Sequence, residues 1–140
     1  MSLLNIFDVS GSAMSAQTVR LNTTASNIAN AESVSSNFEG TYRARHPVFA
    51  TALRGALEPG EENVPAGVQV LGLVESEAPL SMRYEPEHPY ADENGYVAYP
   101  NVNVVEEMAN MISATRSFQL NVEVMNSAKT LAERLLRLGQ

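Results

Sequence analysis

The distribution of proline constrains this 140-residue chain more than any other feature, because all seven prolines lie between positions 47 and 100. Proline removes a backbone donor and clashes with the preceding helical turn, so a long helix cannot run through it. Long helices can therefore form at both ends of the chain but not in the middle. The sequence predicts an N-terminal helix within residues 1–37 and a C-terminal helix within 101–140, which together form one discontinuous helical core domain. Residues 38–100 are predicted to be a central extended or β region.

Both ends carry apolar side chains at alternating spacings of three and four, the pattern of a helix that packs lengthwise on another helix. Helices of about 25 and 35 residues span about 40 and 50 Å at 1.5 Å per residue, so they can pair as an antiparallel coiled coil. Methionine at this spacing is more often core filler than a binding stripe. We expect the following seam positions to be buried on assembly: Phe7, Met14, Leu21, Ala25, Ile28, Val104, Met108, Met111, Thr115, Phe118, Val122, Met125, Ala132 and Leu136.

The middle of the chain contains four short segments rich in β-branched and aromatic residues, separated by proline and glycine. They lie within residues 41–53, 67–74, 80–85 and 95–100, and Asn94 and Gly95 are suited to a tight turn. Residues 54–67 carry four charges, two prolines and three glycines, which predicts an exposed, mobile loop. The expected fold is mainly α, with a Pro/Gly-rich β-hairpin region inserted between two long helices.

The charge of −7 argues against a protein that binds nucleic acid through its phosphates, because the nine basic residues are scattered. The chain has no cysteine, which excludes disulfides and cysteine-ligated metals. It also lacks a run of about 18 apolar residues and a basic, apolar leader. We therefore expect no membrane span, and an export route, if the protein is exported, that cleaves no signal peptide.

Only residues 84–93, "YEPEHPYADE", resemble a chemical site, because four carboxylates surround His88. The prolines there impose a turning chain, and the spacing matches neither a zinc pair on a helix nor a twelve-residue calcium loop. No nucleophile elbow and no phosphate-binding loop is present. We expect a solvated acidic turn, and a protein without catalytic residues, metal, cofactor or small-molecule substrate.

The N-terminal arm is nearly free of charge, since residues 9–31 contain one charged side chain, Arg20. Small and amide side chains suit burial on several sides, because amides can bridge neighbouring backbones where charges would be costly to desolvate. One partner helix covers one face, so we expect further partners from other chains. Ordinary surface polarity is the alternative explanation for the asparagines. The predicted inter-subunit polar contacts are Asn22, Asn27, Asn30 and Asn121.

Two stretches of the sequence resemble a known family. "LNTTASNIANAESVSSNFEGTYRAR" (21–45) is similar to the N-terminal signature of bacterial flagellar rod and hook proteins, although Ser26 stands where that signature usually has a first asparagine. "GYVAYPNVNVVEEMANMISATRSFQLNVEVMNSAKTLAERLLRLG" (95–139) resembles the C-terminal region of the proximal rod members of the flagellar basal-body rod family. The resemblance covers both arms and their junctions but not residues 54–67.

The resemblance implies a structural subunit of the flagellar basal body that assembles into a helical, torque-transmitting tube. Its partners would be copies of itself, other rod proteins and the flagellar type III export apparatus, and its location the periplasmic span. The paired helices would form the inner part of the tube and the middle region an outer element. A helical-hairpin adaptor or scaffold outside the flagellum is the alternative, but it should carry more charge on its outer helix faces.

Overall fold

The computed structural model of the chain describes residues 3–35, 37–54 and 64–138. Two long helices begin and end the described chain, with a short 3₁₀ turn (Phe38–Gly40) and four strands between them. The helices are α1 (Leu3–Ala29) and α2 (Val104–Leu138), and the strands are β1 (Arg45–Arg54), β2 (Val64–Glu75), β3 (Ser81–Tyr84) and β4 (Tyr96–Tyr99).

Several hydroxyl side chains of α1 form hydrogen bonds to the backbone of the same helix. The helix can therefore contain many hydroxyl groups although it carries little charge. The hydroxyls of Ser12, Thr18 and Thr23 each donate to a backbone carbonyl three or four residues earlier, at 2.8–2.9 Å. At the C-terminal end of the helix, Asn30 Nδ2 donates to the carbonyl of Ser26 at 2.8 Å. The same carbonyl also accepts from the Asn30 N–H at 3.1 Å, so the side chain adds a second bond at the last turn of the helix.

Strands β1 and β2 form an antiparallel two-stranded sheet, in register from Arg45↔Glu75 to Arg54↔Val64 with two irregularities. Pro47 lies within β1, which is tolerated because each strand of a two-stranded sheet has a free edge. This sheet packs on α1. Residues 55–63 of the predicted mobile loop lie outside the described residues, and the remainder of 54–67 belongs to the two strands.

At Gly67, strand β2 lies close against helix α1. Its φ is +147°, and a Cβ atom there would overlap the Ser12 hydroxyl. The N–H of the next residue, Val68, donates to Ser12 Oγ at 3.1 Å. A glycine is therefore required both by the backbone conformation and by the contact with the helix.

Strands β3 and β4 form a second antiparallel pair. The turn before β4 is closed by the Gly95 N–H, which donates to the Asp92 carbonyl at 3.0 Å, and Gly95 adopts a φ of +80°. Across the pair, the rings of Tyr84 and Tyr96 make an edge-to-face contact with centroids 5.3 Å apart.

Helix α2 begins at an asparagine cap. Asn103 Oδ1 accepts bonds from the N–H groups of Val105 (3.1 Å) and Glu106 (3.4 Å). Glu106 and Glu107 place negative charge in the first turn, where it interacts favourably with the helix dipole.

A small core joins the helices to the sheets where α1 ends and α2 is about to begin. Its buried side chains are Ala31, Ala44, Val97, Ala98 and Tyr99. The prediction of two long end helices packed together, with a β region between them, is confirmed. Each of the four strands overlaps a segment that the sequence indicated.

Candidate assembly surface

Helices α1 and α2 pack along one another. Arg20 Nη2 donates to Asn110 Oδ1 on α2 at 2.9 Å. The one charged side chain of residues 9–31 therefore forms a hydrogen bond within its own chain. Burial raises the pKa of the Tyr42 phenol, a rise that Arg45 opposes and Glu107 reinforces. Since Tyr42 also donates to Asn27, near the end of α1, that end lies beside the start of α2. An antiparallel pairing fits these contacts.

The face of α2 that packs against α1 consists of two rows of side chains. One of these rows coincides with the predicted seam, and the other does not. Met111, Phe118, Met125 and Ala132 are half-buried, as a seam position would be, whereas Val104, Met108, Thr115, Val122 and Leu136 are exposed. The second row lies one residue earlier along the helix than the predicted seam. It consists of Glu107, Ala114 and Ala128, which are buried, and Asn121, which is half-buried. Small side chains such as Ala114 and Ala128 let the helices approach closely, which leaves the larger apolar groups outside.

On α1 the predicted seam positions Phe7, Met14, Leu21 and Ile28 are half-buried and Ala25 is exposed. Both strands of the β1–β2 pair also pack on this helix. One further face of α1 is therefore covered within the chain, whereas the sequence led us to expect other chains there. The same chain supplies a second partner, because the β1–β2 pair folds back along the helix from Asn27 to Ser12.

Asn27 is fully buried and bonds to its own chain. Its Nδ2 donates to the Arg45 carbonyl at 2.8 Å, and its Oδ1 accepts from the Arg45 N–H at 3.0 Å and from the Tyr42 hydroxyl at 2.9 Å. These bonds fasten the start of β1 to the end of α1. The structure therefore assigns Asn27 to a contact within the subunit, in place of the expected contact between subunits.

The other three predicted asparagines are more accessible. Asn30 and Asn121 each donate to the carbonyl four residues earlier on their own helix, at 2.8 Å, and are half-buried. Asn22 is exposed and borders a groove of about 370 Å³ between α1 and the β1–β2 pair, together with Asn30. These three positions remain candidates for contacts with neighbouring chains.

Asn101 is a structural residue that the seam analysis missed. Its Oδ1 accepts from the Ala44 N–H at 2.8 Å, and its Nδ2 donates to the carbonyls of Ser76 (3.3 Å) and Ala78 (2.9 Å). It thus ties the chain before β1, the chain after β2 and the approach to α2 into one junction. Its place next to Pro100, in the "YPNVN" stretch, was the signal that could have identified it.

The outer side of α2 carries an exposed apolar surface, of which the heptad pattern identified only Met108. Its exposures run from 47% at Val124 to 77% at Val105. Its successive positions are separated by three, four, eight, four, seven and four residues. We call this the α2 apolar surface, and it consists of Val105, Met108, Ile112, Leu120, Val124, Leu131 and Leu135.

The acidic residues 84–93 use their polar atoms in local structure. Asp92 Oδ1 accepts from the N–H groups of Asn94 and Tyr96 at 2.8 Å, and His88 Nδ1 accepts from the Tyr90 N–H at 3.1 Å. Within residues 3–35, 37–54 and 64–138, no group of three or more histidine or acidic side chains could hold a metal ion. In the same part of the chain, neither helix is apolar enough to span a bilayer.

Comparison with known proteins matches both ends and then the whole chain. Residues 7–35 match the family model described as "Flagella basal body rod protein", and residues 93–138 match "Flagellar basal body rod FlgEFG protein C-terminal". Flagellar basal-body rod protein FlgC of Salmonella typhimurium is 49% identical over 140 residues, and that of Yersinia enterocolitica 50%, with both chains fully covered. The FlgC protein of Borreliella burgdorferi is 32% identical over 151 residues, covering 100% of this chain and 99% of its own.

Proposed function

The chain belongs to the FlgC family of flagellar basal-body rod proteins and is a structural subunit of the rod, and we propose that it assembles by packing its helices against those of neighbouring subunits. The chain is not an enzyme, and an adaptor outside the flagellum is not favoured. The observation that carries the proposal is the α2 apolar surface, which remains exposed after α1 and α2 have packed together.

The size of this surface supports assembly through several weak contacts acting together. Complete burial of a large apolar side chain contributes about 1.5–3 kcal/mol, and these seven side chains are 47–77% exposed, so covering them would contribute roughly 6–12 kcal/mol per helix. Association itself costs an estimated 4 to 15 kcal/mol or more. One such contact would be marginal, whereas a subunit held by several neighbours at once would be stable.

In the assembled state we propose that α1 and α2 pair as an antiparallel coiled coil on the inner side of a helical tube, with residues 38–100 outside it. The seam side chains that stay exposed in the subunit, such as Met108 and Val122, would contact neighbouring helices. Asn22, Asn30 and Asn121 would supply polar contacts there. Contacts repeated around the tube would transmit torque through many interfaces in parallel.

Its partners would be other copies of this chain and other rod proteins, and we place it in the periplasmic span of the basal body. Delivery would be through the flagellar type III export apparatus. Family membership supports each of these points.

The proposal is tested by replacing Val122 with Asp in a strain whose own copy of the gene has been deleted. Val122 is 37% exposed, so the subunit should fold and be exported, while a charge at a helix contact should block incorporation into the rod. Val122→Thr keeps the shape without the charge and should assemble. Swimming and the subunit content of isolated basal bodies are the measurements, and a Val122→Asp strain that is normal in both would contradict the proposed packing.

A further inference from the structure

Asn94 and Gly95, just before β4, are the one Asn–Gly pair in the chain. In such a pair the backbone nitrogen of the glycine can attack the side-chain carbonyl carbon of the asparagine, because glycine has no Cβ that obstructs the approach. Asparagine is among the thermolabile residues of proteins. Since Asn94 is exposed, water can reach it to complete the reaction. The pair is therefore a candidate site for a spontaneous covalent change.

The turn requires the glycine of this pair. Gly95 adopts a φ of +80°, in the left-handed region that favours glycine. A Cβ atom at this position would lie 2.9 Å from Cε2 of Tyr84 and 3.1 Å from Cβ of Pro86. A larger residue after Asn94 would strain both the backbone and these contacts. The fold thus places an unobstructed backbone nitrogen directly after an exposed asparagine.

In the folded subunit, that nitrogen belongs to a network of hydrogen bonds around Asp92. The Gly95 N–H donates to the Asp92 carbonyl at 3.0 Å. Asp92 Oδ1 accepts from the N–H groups of Asn94 and Tyr96, both at 2.8 Å, and the Asp92 N–H donates to the Tyr96 carbonyl at 2.8 Å. Attack on Asn94 requires the Gly95 N–H to leave its acceptor, so the reaction proceeds from a locally opened turn.

We propose that Asn94 is the principal site of spontaneous deamidation in the unfolded chain, and that the hydrogen bonds of Asp92 protect it in the folded subunit. In the reaction, the Gly95 nitrogen forms a bond to Asn94 Cγ, and the side-chain amide leaves as ammonia with the Gly95 proton. Water then opens the succinimide ring. Opening at Cγ produces aspartate, whereas opening at the backbone carbonyl carbon produces isoaspartate.

The isoaspartate product would disturb the start of β4. Its main chain runs through Cβ and Cγ, which inserts one extra atom into the backbone before Gly95. Strand β4 begins at the next residue, Tyr96, and Val97 is completely buried in the small core. Isoaspartate should therefore weaken the β3–β4 pair. This inference concerns the single subunit and does not depend on the proposed rod assembly.

The first test compares the full-length wild-type protein in buffer and in urea at the same mildly alkaline pH. Mass spectrometry of the peptides follows the conversion of each asparagine. Asn94 should convert at least about tenfold faster in urea, because the turn then loses several hydrogen bonds. In urea it should also convert ahead of Asn126, which precedes the small residue Ser127 and is the internal control.

The second test changes the acceptor in the folded protein. Asp92→Ala removes the oxygen that accepts from two N–H groups, and it should accelerate the conversion of Asn94 about tenfold. Asp92→Asn keeps an acceptor oxygen and should convert at nearly the wild-type rate. Glu93→Ala, at an exposed neighbour in the same turn, is the matched control and should leave the rate unchanged. Circular dichroism shows whether each variant is folded, and the comparison of buffer with urea needs no variant.

Equal rates in buffer and in urea, or equal rates for folded Asp92→Ala and the wild type, would overturn the protective role of the turn. Faster conversion of another asparagine in urea would overturn the assignment to Asn94. The consequence for β4 is tested by separating the isoaspartyl protein and measuring its urea midpoint against that of Asn94→Asp, which has the same charge and an unaltered backbone. The isoaspartyl form should unfold at lower urea, and equal midpoints would contradict the effect on β4.

Discussion

The bonds of Asn27 make the sharpest test of whether this residue acts within the subunit or between subunits. Asn27→Ala removes three hydrogen bonds and leaves the Arg45 N–H, the Arg45 carbonyl and the Tyr42 hydroxyl without that partner. A buried polar group left unpaired costs about 1–3 kcal/mol. The half-buried Tyr42 hydroxyl can turn toward water, so the loss should be about 2–4 kcal/mol in the free energy of unfolding.

That loss is large against a total stability of about 5–15 kcal/mol, and it should lower Tm by roughly 10 °C. Urea denaturation followed by circular dichroism, on protein shown to be monomeric by sedimentation, gives the free energy directly. Asn22→Ala on the exposed face of the same helix is the control, because both substitutions change helix propensity equally. It should change stability by no more than about 0.5 kcal/mol.

Tyr42→Phe refines the test, since it removes one of the three bonds and should cost about 1 kcal/mol. The Asn27→Ala/Tyr42→Phe double variant should lose about 1 kcal/mol less than the sum of the two single losses, because both substitutions delete the same bond. If Asn27→Ala is as stable as Asn22→Ala but fails to enter the rod, the residue acts between subunits and the interpretation given above is refuted.

Three further outcomes are expected. Gly67→Ala should destabilise the subunit by about 1–3 kcal/mol in urea, because of its positive φ and the Ser12 contact, whereas Gly72→Ala, with open space around it, should cost less. Phe118→Asp should lower monomer stability by about 2–4 kcal/mol, in contrast to less than about 1 kcal/mol for Val122→Asp, and equal losses would contradict the assigned face of α2. Burial raises the pKa of Tyr42 above its ordinary value of 10.0, so its contribution to stability is complete below about pH 10 and is lost as the pH rises through the folded-state pKa. Tyr42→Phe should therefore flatten the alkaline decline in the free energy of unfolding.

The sequence predicted the long helices and the strands well because each depends on a local pattern. The absence of proline at both ends allowed the helices, and the β-branched segments between prolines marked the strands. The face of α2 was predicted only in part. Large apolar side chains dominate a heptad pattern, whereas this pair of helices also packs through Ala114 and Ala128, which any surface could accommodate.

The partners of polar side chains could not be predicted for a different reason. An uncharged helix such as α1 is suited to burial, but its sequence does not specify whether a neighbouring subunit or a strand of the same chain covers it. Asn27 illustrates this, because the same amide groups could bond to either one. The separation of 18 residues between Asn27 and Arg45 became informative only once β1 was seen to fold back along α1.

The pairing of α1 with α2 also sets the order in which the chain can fold. Arg20 and Asn110 are 90 residues apart, and closing a loop of that length costs about 4 kcal/mol of chain entropy plus a constant. The β1–β2 pair starts from partners only ten residues apart, at Arg54 and Val64, so it can form early and without α2. We therefore expect the helical pair to form last, because its contacts require both helices at once.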